Sequence, residues 1–283
     1  LAAAQDSYAL EAVGKAAGSG FIEPVLVGDE GKIRRIASEN NIPIVDFAIV
    51  NEPDTLLAVE RSVRMVHDGR ADILMKGSCS TASLLKGVLN RDWGLRKGDL
   101  LSHFALFHLP AYHKLLAISD VAINIAPGLV EKIAIINNSV EVLHLLGVEI
   151  PKVAAIAAVE TVNDQMPATI EAAELASLNA EGRISGCLVE GPLAFDTAIS
   201  LESAIHKSLD SRVAGDPDLL LMPDIEAGNV LYKALSYFAN ASVASIVAGA
   251  SAPIVLTSRS DSEDTKLNSI LLATAAIHNI NMV

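Results

Sequence analysis

Two cations stand directly at the ends of apolar runs. Lys76 follows Ile73-Leu74-Met75, and Arg259 follows Ile254-Val255-Leu256-Thr257-Ser258. A cation held against a buried strand is expensive unless something anionic answers it, so each marks a place where an anionic ligand would be the natural partner. The first stands in Lys76-Gly77-Ser78-Cys79-Ser80-Thr81, where Ser80 and Thr81 open a helix whose unpaired N–H groups also favour an anion. The second stands in Ser258-Arg259-Ser260-Asp261-Ser262-Glu263-Asp264, which sets a hydroxyl, a guanidinium and acids in one short stretch. A third polar string, Pro223-Asp224-Ile225-Glu226-Ala227-Gly228-Asn229, follows another apolar run and precedes Lys233. Each string has a plainer reading: Ser80, Thr81, Asp224 and Asp261 are ordinary helix-capping types, and glycines at strand ends are ordinary turn residues.

Other chemistries lack their patterns. The chain holds no GxSxG nucleophile elbow, no GxxxxGK[ST] phosphate loop and no GxGxxG dinucleotide fingerprint. Cys79 and Cys187 are the only cysteines, without a CxxC or zinc-ligand spacing, so neither a disulfide scaffold nor a metal centre is expected. His103, His108 and His113 recur at intervals of five, which fits neither one strand face nor one helix face. Cys79 has no histidine beside it and reads as a small packing residue.

The elements that must carry these residues follow from periodicity. Short β-branched runs alternate with longer segments of helical period, the pattern of βα units and a parallel sheet. Strands are expected near 24–27, 46–50, 72–75, 104–107, 115–118, 121–124, 153–158, 185–189, 218–222, 243–247 and 253–257. Helices are expected near 6–18, 30–39, 54–68, 80–89, 129–145, 166–179, 196–208, 229–239 and 263–278. The stretch from Asp92 to Asn124 breaks the alternation and reads as successive strands and turns. A second domain is therefore expected over 126–251, inserted into a first formed by 1–125 and 252–283.

Composition narrows the class. At 283 residues, half of them hydrophobic but only 4% aromatic, the chain suits Ala-, Val-, Ile- and Leu-rich helices packed on a sheet rather than an aromatic-rich sandwich. A net charge of −13 with no basic run argues against a nucleic-acid surface. Apolar stretches such as 119–125 fall far short of the roughly 20 residues a membrane span needs, so a soluble, cytoplasmic protein is expected. The first residues read as the tail of a strand entering a helix, so a short N-terminal stub is expected before Leu1, and no signal-peptide pattern is visible.

Taken together, the strings resemble the phosphate acetyltransferase and phosphate butyryltransferase family, its butyryltransferase branch most closely. The matching stretches are Ala71-Asp72-Ile73-Leu74-Met75-Lys76-Gly77 with Ser80-Thr81, Gly94-Leu95-Arg96 with Leu101-Ser102-His103, residues 223–229 with Lys233, and Thr257-Ser258-Arg259. The resemblance implies a two-domain α/β architecture like that of isocitrate and isopropylmalate dehydrogenases, with the active site in the interdomain cleft. It implies a homo-oligomer with no metal or redox cofactor, coenzyme A and phosphate entering as substrates. The implied reaction is acyl-CoA plus phosphate giving acyl phosphate plus CoA, with a butyryl or similar short chain and direct transfer in a ternary complex.

The family's Ser-Arg pair matches Ser258-Arg259. Its acetyltransferases carry a catalytic aspartate several residues later, where this chain has Glu263-Asp264-Thr265, so Asp261 and Asp264 both stand as candidates for the base. Lys76, Ser80, Thr81, Arg96, Ser102, His103, Asp224, Glu226, Asn229 and Lys233 are the expected substrate-binding residues, with Lys266 a further candidate for anion contact. Three other readings stand beside this one. They are a phosphate acetyltransferase acting on acetyl-CoA, a metal- and NAD-dependent hydroxyacid dehydrogenase of related fold, and a non-catalytic binder of CoA or acyl phosphates.

Overall fold

A computed structural model describes residues 1–98, 100–257 and 261–278. It is an α/β protein of mostly parallel strands with flanking helices. The chain divides into two compact units, Leu1–Asp99 with Val243–Val283, and Leu100–Ser242.

In the first unit, helix α1 (Ser7–Gly18) leads to strand β1 (Val25–Gly28), helix α2 (Glu30–Glu39), strand β2 (Ala48–Asn51) and helix α3 (Thr55–His67). Strand β3 (Leu74–Met75) and helix α4 (Thr81–Val88) complete its N-terminal part. β1 and β2 pair in parallel. Every one of these helices begins where an oxygen-bearing side chain takes up otherwise unpaired N–H groups: Asp6 from Ala9, Asp29 from Lys32, Asp54 from Leu56 and Leu57, and Ser80 from Ser83. Such a cap contributes about 1 kcal/mol. Residues 1–4 run as an extended link: Ala2 bridges Val27 on one side and Lys76 on the other.

In the second unit, β4 (Ser102–His108) and β5 (Leu115–Ser119) form an antiparallel hairpin. Helix α5 (Leu129–Leu145), strand β6 (Lys152–Ile156), helix α6 (Pro167–Ala180) and strand β7 (Leu188–Leu193) follow. Then come the short helices α7 (Phe195–Ile199) and α8 (Leu201–His206), strand β8 (Leu219–Leu221) and helix α9 (Ile225–Phe238). Its strands lie in the order β4-β5-β8-β6-β7, parallel from β5 onward. The central strands are continuous apolar runs, all buried in Leu116–Ile118, Val153–Ile156 and Leu219–Leu221, as expected of strands covered on both faces.

The chain then returns to the first unit through β9 (Ser242–Ala248), β10 (Ile254–Val255) and α10 (Glu263–His278). β10 pairs in parallel with β3 and antiparallel with β9.

Two expected elements are corrected. Residues 121–124 form no strand. The buried carboxylate of Asp120 takes the N–H groups of Ala122 and Ile123 at 2.8 and 3.0 Å, which turns the chain immediately after β5. The helix expected over 196–208 is two, because Ser200 adopts an extended conformation and its Oγ caps α8 by accepting from Ser203. In addition, α9 begins before residue 229, because Asp224 caps it from Ala227.

Candidate active site

In the first unit, Lys76 is mounted rigidly. Its N–H donates to Val255 of β10 at 3.0 Å, and the following N–H groups of Gly77 and Ser78 donate to Ala2 and Ala3 at 2.9 and 2.7 Å. A side chain on Gly77 would sit 2.4 Å from the Ala3 carbonyl oxygen, so only glycine permits this approach. The half-buried Lys76 amine lies 3.5 Å from the Gly77 carbonyl and, among the described residues, has no carboxylate within ion-pair distance. Burial pushes the Cys79 thiol up, with the Lys76 charge opposing, so at neutral pH it is a protonated packing group.

Ser80 and Thr81 are exposed at the start of α4, and the Ser80 hydroxyl is engaged as its cap and with Ser83. Arg96 is exposed and its backbone bridges Ala250. Thr257, two residues beyond β10, is buried, and Ser258 and Arg259 lie outside the described residues.

Beyond them the chain is defined again from Asp261. Ser262 caps α10 by accepting from Thr265 at 3.1 Å, Glu263 pairs with Lys15, and Asp264 is exposed in the first turn. The half-buried Asp261 accepts the Lys266 amine on its backbone carbonyl. The structure thus brings Asp261 and Lys266 together in the first unit. Burial lowers the readiness of the Lys266 amine to hold its proton and the charge of Lys76 adds to that, while Asp261 and Asp6 oppose it.

In the second unit, Ser102 and His103 are buried on β4. The Ser102 hydroxyl accepts from Asn138, and the His103 N–H donates to Asp120 at 3.0 Å. Asp120 also accepts the Asn124 amide at 2.6 Å, and that amide donates in turn to the Leu101 carbonyl. Helix α9 is seated on this loop: Gly228 lies so close that a side chain there would meet the Asp120 carbonyl oxygen at 2.4 Å, and Asn229 donates to Val121 at 3.1 Å. Asp224 is spent as the cap of α9, and Glu226 is exposed in its first turn. Tyr232 meets His103 and Phe107 edge-on, and the Lys233 amine sits 4.8 Å from the Tyr232 ring centroid. His108 is exposed and His113 is bound to Asp216, so the three histidines do not converge. Among the described residues, no group of three or more His, Cys, Asp or Glu side chains is placed to hold a metal ion. No helix among them is long and apolar enough to cross a membrane.

Residues 55–274 match the family model described as phosphate acetyl/butaryl transferase. The chain belongs to that family. It is 48% identical to a phosphate butyryltransferase of Clostridium acetobutylicum, over 99% of this chain and 93% of that protein. The crystal structure of a branched-chain phosphotransacylase from Enterococcus faecalis superposes with a TM-score of 0.86 at 34% identity, covering 98% of this chain and 97% of that one. A 4-hydroxythreonine-4-phosphate dehydrogenase of Klebsiella pneumoniae shares the fold alone, with a TM-score of 0.58 at 12% identity over 97% of each chain.

Within this member of the acetyl/butaryl transferase family, sequence reasoning missed Asp120 as the hub of the loop that seats α9. Its one visible signal is a Ser-Asp at a strand end with an asparagine one helical turn later. Tyr232, the buried ring between His103 and Lys233, carries no signal beyond its place in an amphipathic helix.

Proposed function

We propose that this protein interconverts acyl-CoA and phosphate with acyl phosphate and CoA, with butyryl or a similar short chain as the acyl group. The observation that carries the reading is the near full-length 48% identity to a phosphate butyryltransferase. In the forward direction a phosphate oxygen attacks the thioester carbonyl, negative charge gathers on that oxygen, and the C–S bond breaks to release CoA. Arg259 holds the phosphate by bidentate hydrogen bonds and stabilises the developing charge, and Ser258 donates a hydrogen bond to phosphate or oxyanion. In reverse, a carboxylate removes the proton from the CoA thiol before the sulfur attacks the acyl phosphate. Asp261 and Asp264 are the groups on hand for that step.

Holding both substrates in line supplies roughly 7–11 kcal/mol of the barrier, so transfer proceeds directly, without a covalent enzyme intermediate. Parallel double-reciprocal plots would contradict this. The remaining expected contacts, Lys76, Ser80, Thr81, Arg96, Ser102, His103, Asp224, Glu226, Asn229 and Lys233, belong to the same proposal. So does the dehydrogenase-like two-domain architecture with the site in its cleft, which the fold-level likeness supports. The protein is further proposed to be cytoplasmic, to need no cofactor beyond its substrates, and to form a homo-oligomer. Exposed Val230, Tyr237 and Phe238 on α9, the last 91% accessible, support the oligomer, which light scattering tests.

Mixing the protein with butyryl-CoA and phosphate and following free thiol tests the function. Phosphate-dependent release is expected. Its absence with both butyryl-CoA and acetyl-CoA leaves a non-catalytic binder or the dehydrogenase reading, and a faster rate on acetyl-CoA assigns the acetyltransferase reading.

A further inference from the structure

Three segments of the second unit meet at one end of its sheet. The loop over 120–125 and the turn from β8 into α9 follow the carboxyl ends of parallel neighbours, and the start of β4 lies beside them because β4 runs antiparallel to β5. That end is where an open α/β sheet offers its ligand positions. Asp120 joins all three segments. Its Oδ1 accepts from Ala122 and Ile123, an Asx turn that needs only one oxygen. Its Oδ2 accepts from the His103 N–H of β4 at 3.0 Å and from the Asn124 amide, which also donates to Leu101. The Asp120 backbone carbonyl is packed against Gly228 of α9, and Ile225 and Asn229 of that helix donate to Ile125 and Val121.

Asp120 is 2% exposed, and among the described residues no lysine, arginine or histidine pairs with it. A buried charge without a cation is expensive, and asparagine closes an Asx turn without that cost. Only a carboxylate, however, accepts on both oxygens, so the charge is kept for the join to β4. A carboxylate offers about four acceptor positions, and Asp120 spends them all on the protein, which leaves none for a substrate. What it fixes is the spacing of β4 and α9. His103 stands on the first and Lys233 on the second, and both lie against the Tyr232 ring, at 6.4 Å between ring centroids and 4.8 Å from amine to centroid. We propose that Asp120 is a positioning residue, which holds His103 and Lys233 at the separation needed to meet acyl-CoA and phosphate. The inference rests on the proposed function, in which both are substrate contacts.

The test uses the full chain, each variant assayed well below its own melting midpoint and its rate scaled to the folded fraction. Asp120→Asn removes one of the two accepting oxygens. Gly228→Ala sets a methyl carbon 2.4 Å from the Asp120 carbonyl oxygen and so lifts α9 from the loop. Phosphate-dependent thiol release from butyryl-CoA should fall about 10- to 100-fold in both, the scale of a misplacement of about 1 Å. Asn124→Ala, which removes only the amide between Asp120 and Leu101, should lose less. His103→Ala and Lys233→Ala should each be slow alone. Combined with Asp120→Asn, each should be little slower than the slower single variant, because a residue that acts through others has little left to lose once they are gone.

A merely structural Asp120 would leave the rate per folded molecule at the wild-type value. That result, losses that multiply in the double variants, or wild-type rates in His103→Ala and Lys233→Ala would overturn the inference while the enzyme still turns over. Should Asp120→Asn fail to fold, Gly228→Ala and Asn124→Ala carry the same combinations. A wild-type protein that releases no thiol from butyryl-CoA or acetyl-CoA sinks the proposed reaction, and calorimetric titration with CoA then decides the inference. Asp120→Asn and Gly228→Ala should weaken CoA about tenfold or more by loss of preorganisation. Wild-type affinity in those variants, or a wild-type protein that does not bind CoA, would overturn it.

Discussion

Among the described residues two lysines are buried, and they are kept in different ways. Lys132, on α5 in the second unit, is paired with Glu171 of α6 and closes the packing between those helices. Lys266, on α10 in the first unit, is held by a carbonyl and an aromatic face. The first arrangement neutralises its charge internally and so belongs to structure. The second is answered at a longer distance by the charges of Asp261 and Asp6, with no direct ion pair among the described residues.

The contrast can be broken by substitution. Asp120→Ala should have the largest effect on stability. It removes the acceptor of four hydrogen bonds at once, from the backbone of His103, Ala122 and Ile123 and from the side chain of Asn124. Each buried donor left without a partner costs about 1–3 kcal/mol, so a loss near 4 kcal/mol is expected by denaturant titration. Lys132→Met comes next, with a loss of about 3 kcal/mol, because it strands Glu171, while pairing it with Glu171→Leu should recover most of that loss. Lys266→Met should leave the midpoint unchanged or higher. An equal loss at both lysines would erase the distinction drawn between them.

Lys114, Lys152 and His113 on the surface of the second unit sharpen it from the other side, since they surround Asp216. Partial burial opposes ionisation of that carboxyl, but the hydrogen bonds from Lys152, Lys114 and His113 outweigh it and hold the group well below the usual carboxylate range. A depressed folded-state value means that the stabilisation is complete above the unfolded value of about 3.9 and fades as pH falls below it. Asp216→Asn should therefore cost at most about 1 kcal/mol, given the solvent screening of a partly exposed network. That difference should stay flat from pH 8 to about pH 5 and close in stronger acid. Smallest of all, burial pushes the Cys187 thiol up to about 11 and raises Cys79 as well, so alkylation of the native protein at neutral pH should be slow.

Much of this fold was legible because local signals agreed with each other. Ser80 and Asp224, read in the sequence as capping types, each prove to cap a helix, whereas α10 is capped by Ser262 rather than by the equally plausible Asp261. What misled was local chemistry that hydrophobic patterning cannot register. Val121-Ala122-Ile123 reads as strand until the Asp120 carboxylate is seen to claim its N–H groups, and 196–208 reads as one helix until Ser200 interrupts it. The neighbourhood of Lys76 was visible as a cation at a strand end. The Asp120 hub was hidden because its partners lie on the preceding strand as well as in the following turn.

The central claim is that Arg259 serves phosphate-dependent acyl transfer, and its substitution is the most direct test. Phosphate-dependent thiol release from butyryl-CoA should be measured for wild-type protein and for Arg259→Ala, with circular dichroism and the melting midpoint as controls. The account predicts a rate lower by about 10²–10³-fold in a variant that is otherwise folded as the wild type, the scale of losing one electrostatic contact to the transition state. A folded Arg259→Ala enzyme turning over at close to the wild-type rate would contradict it.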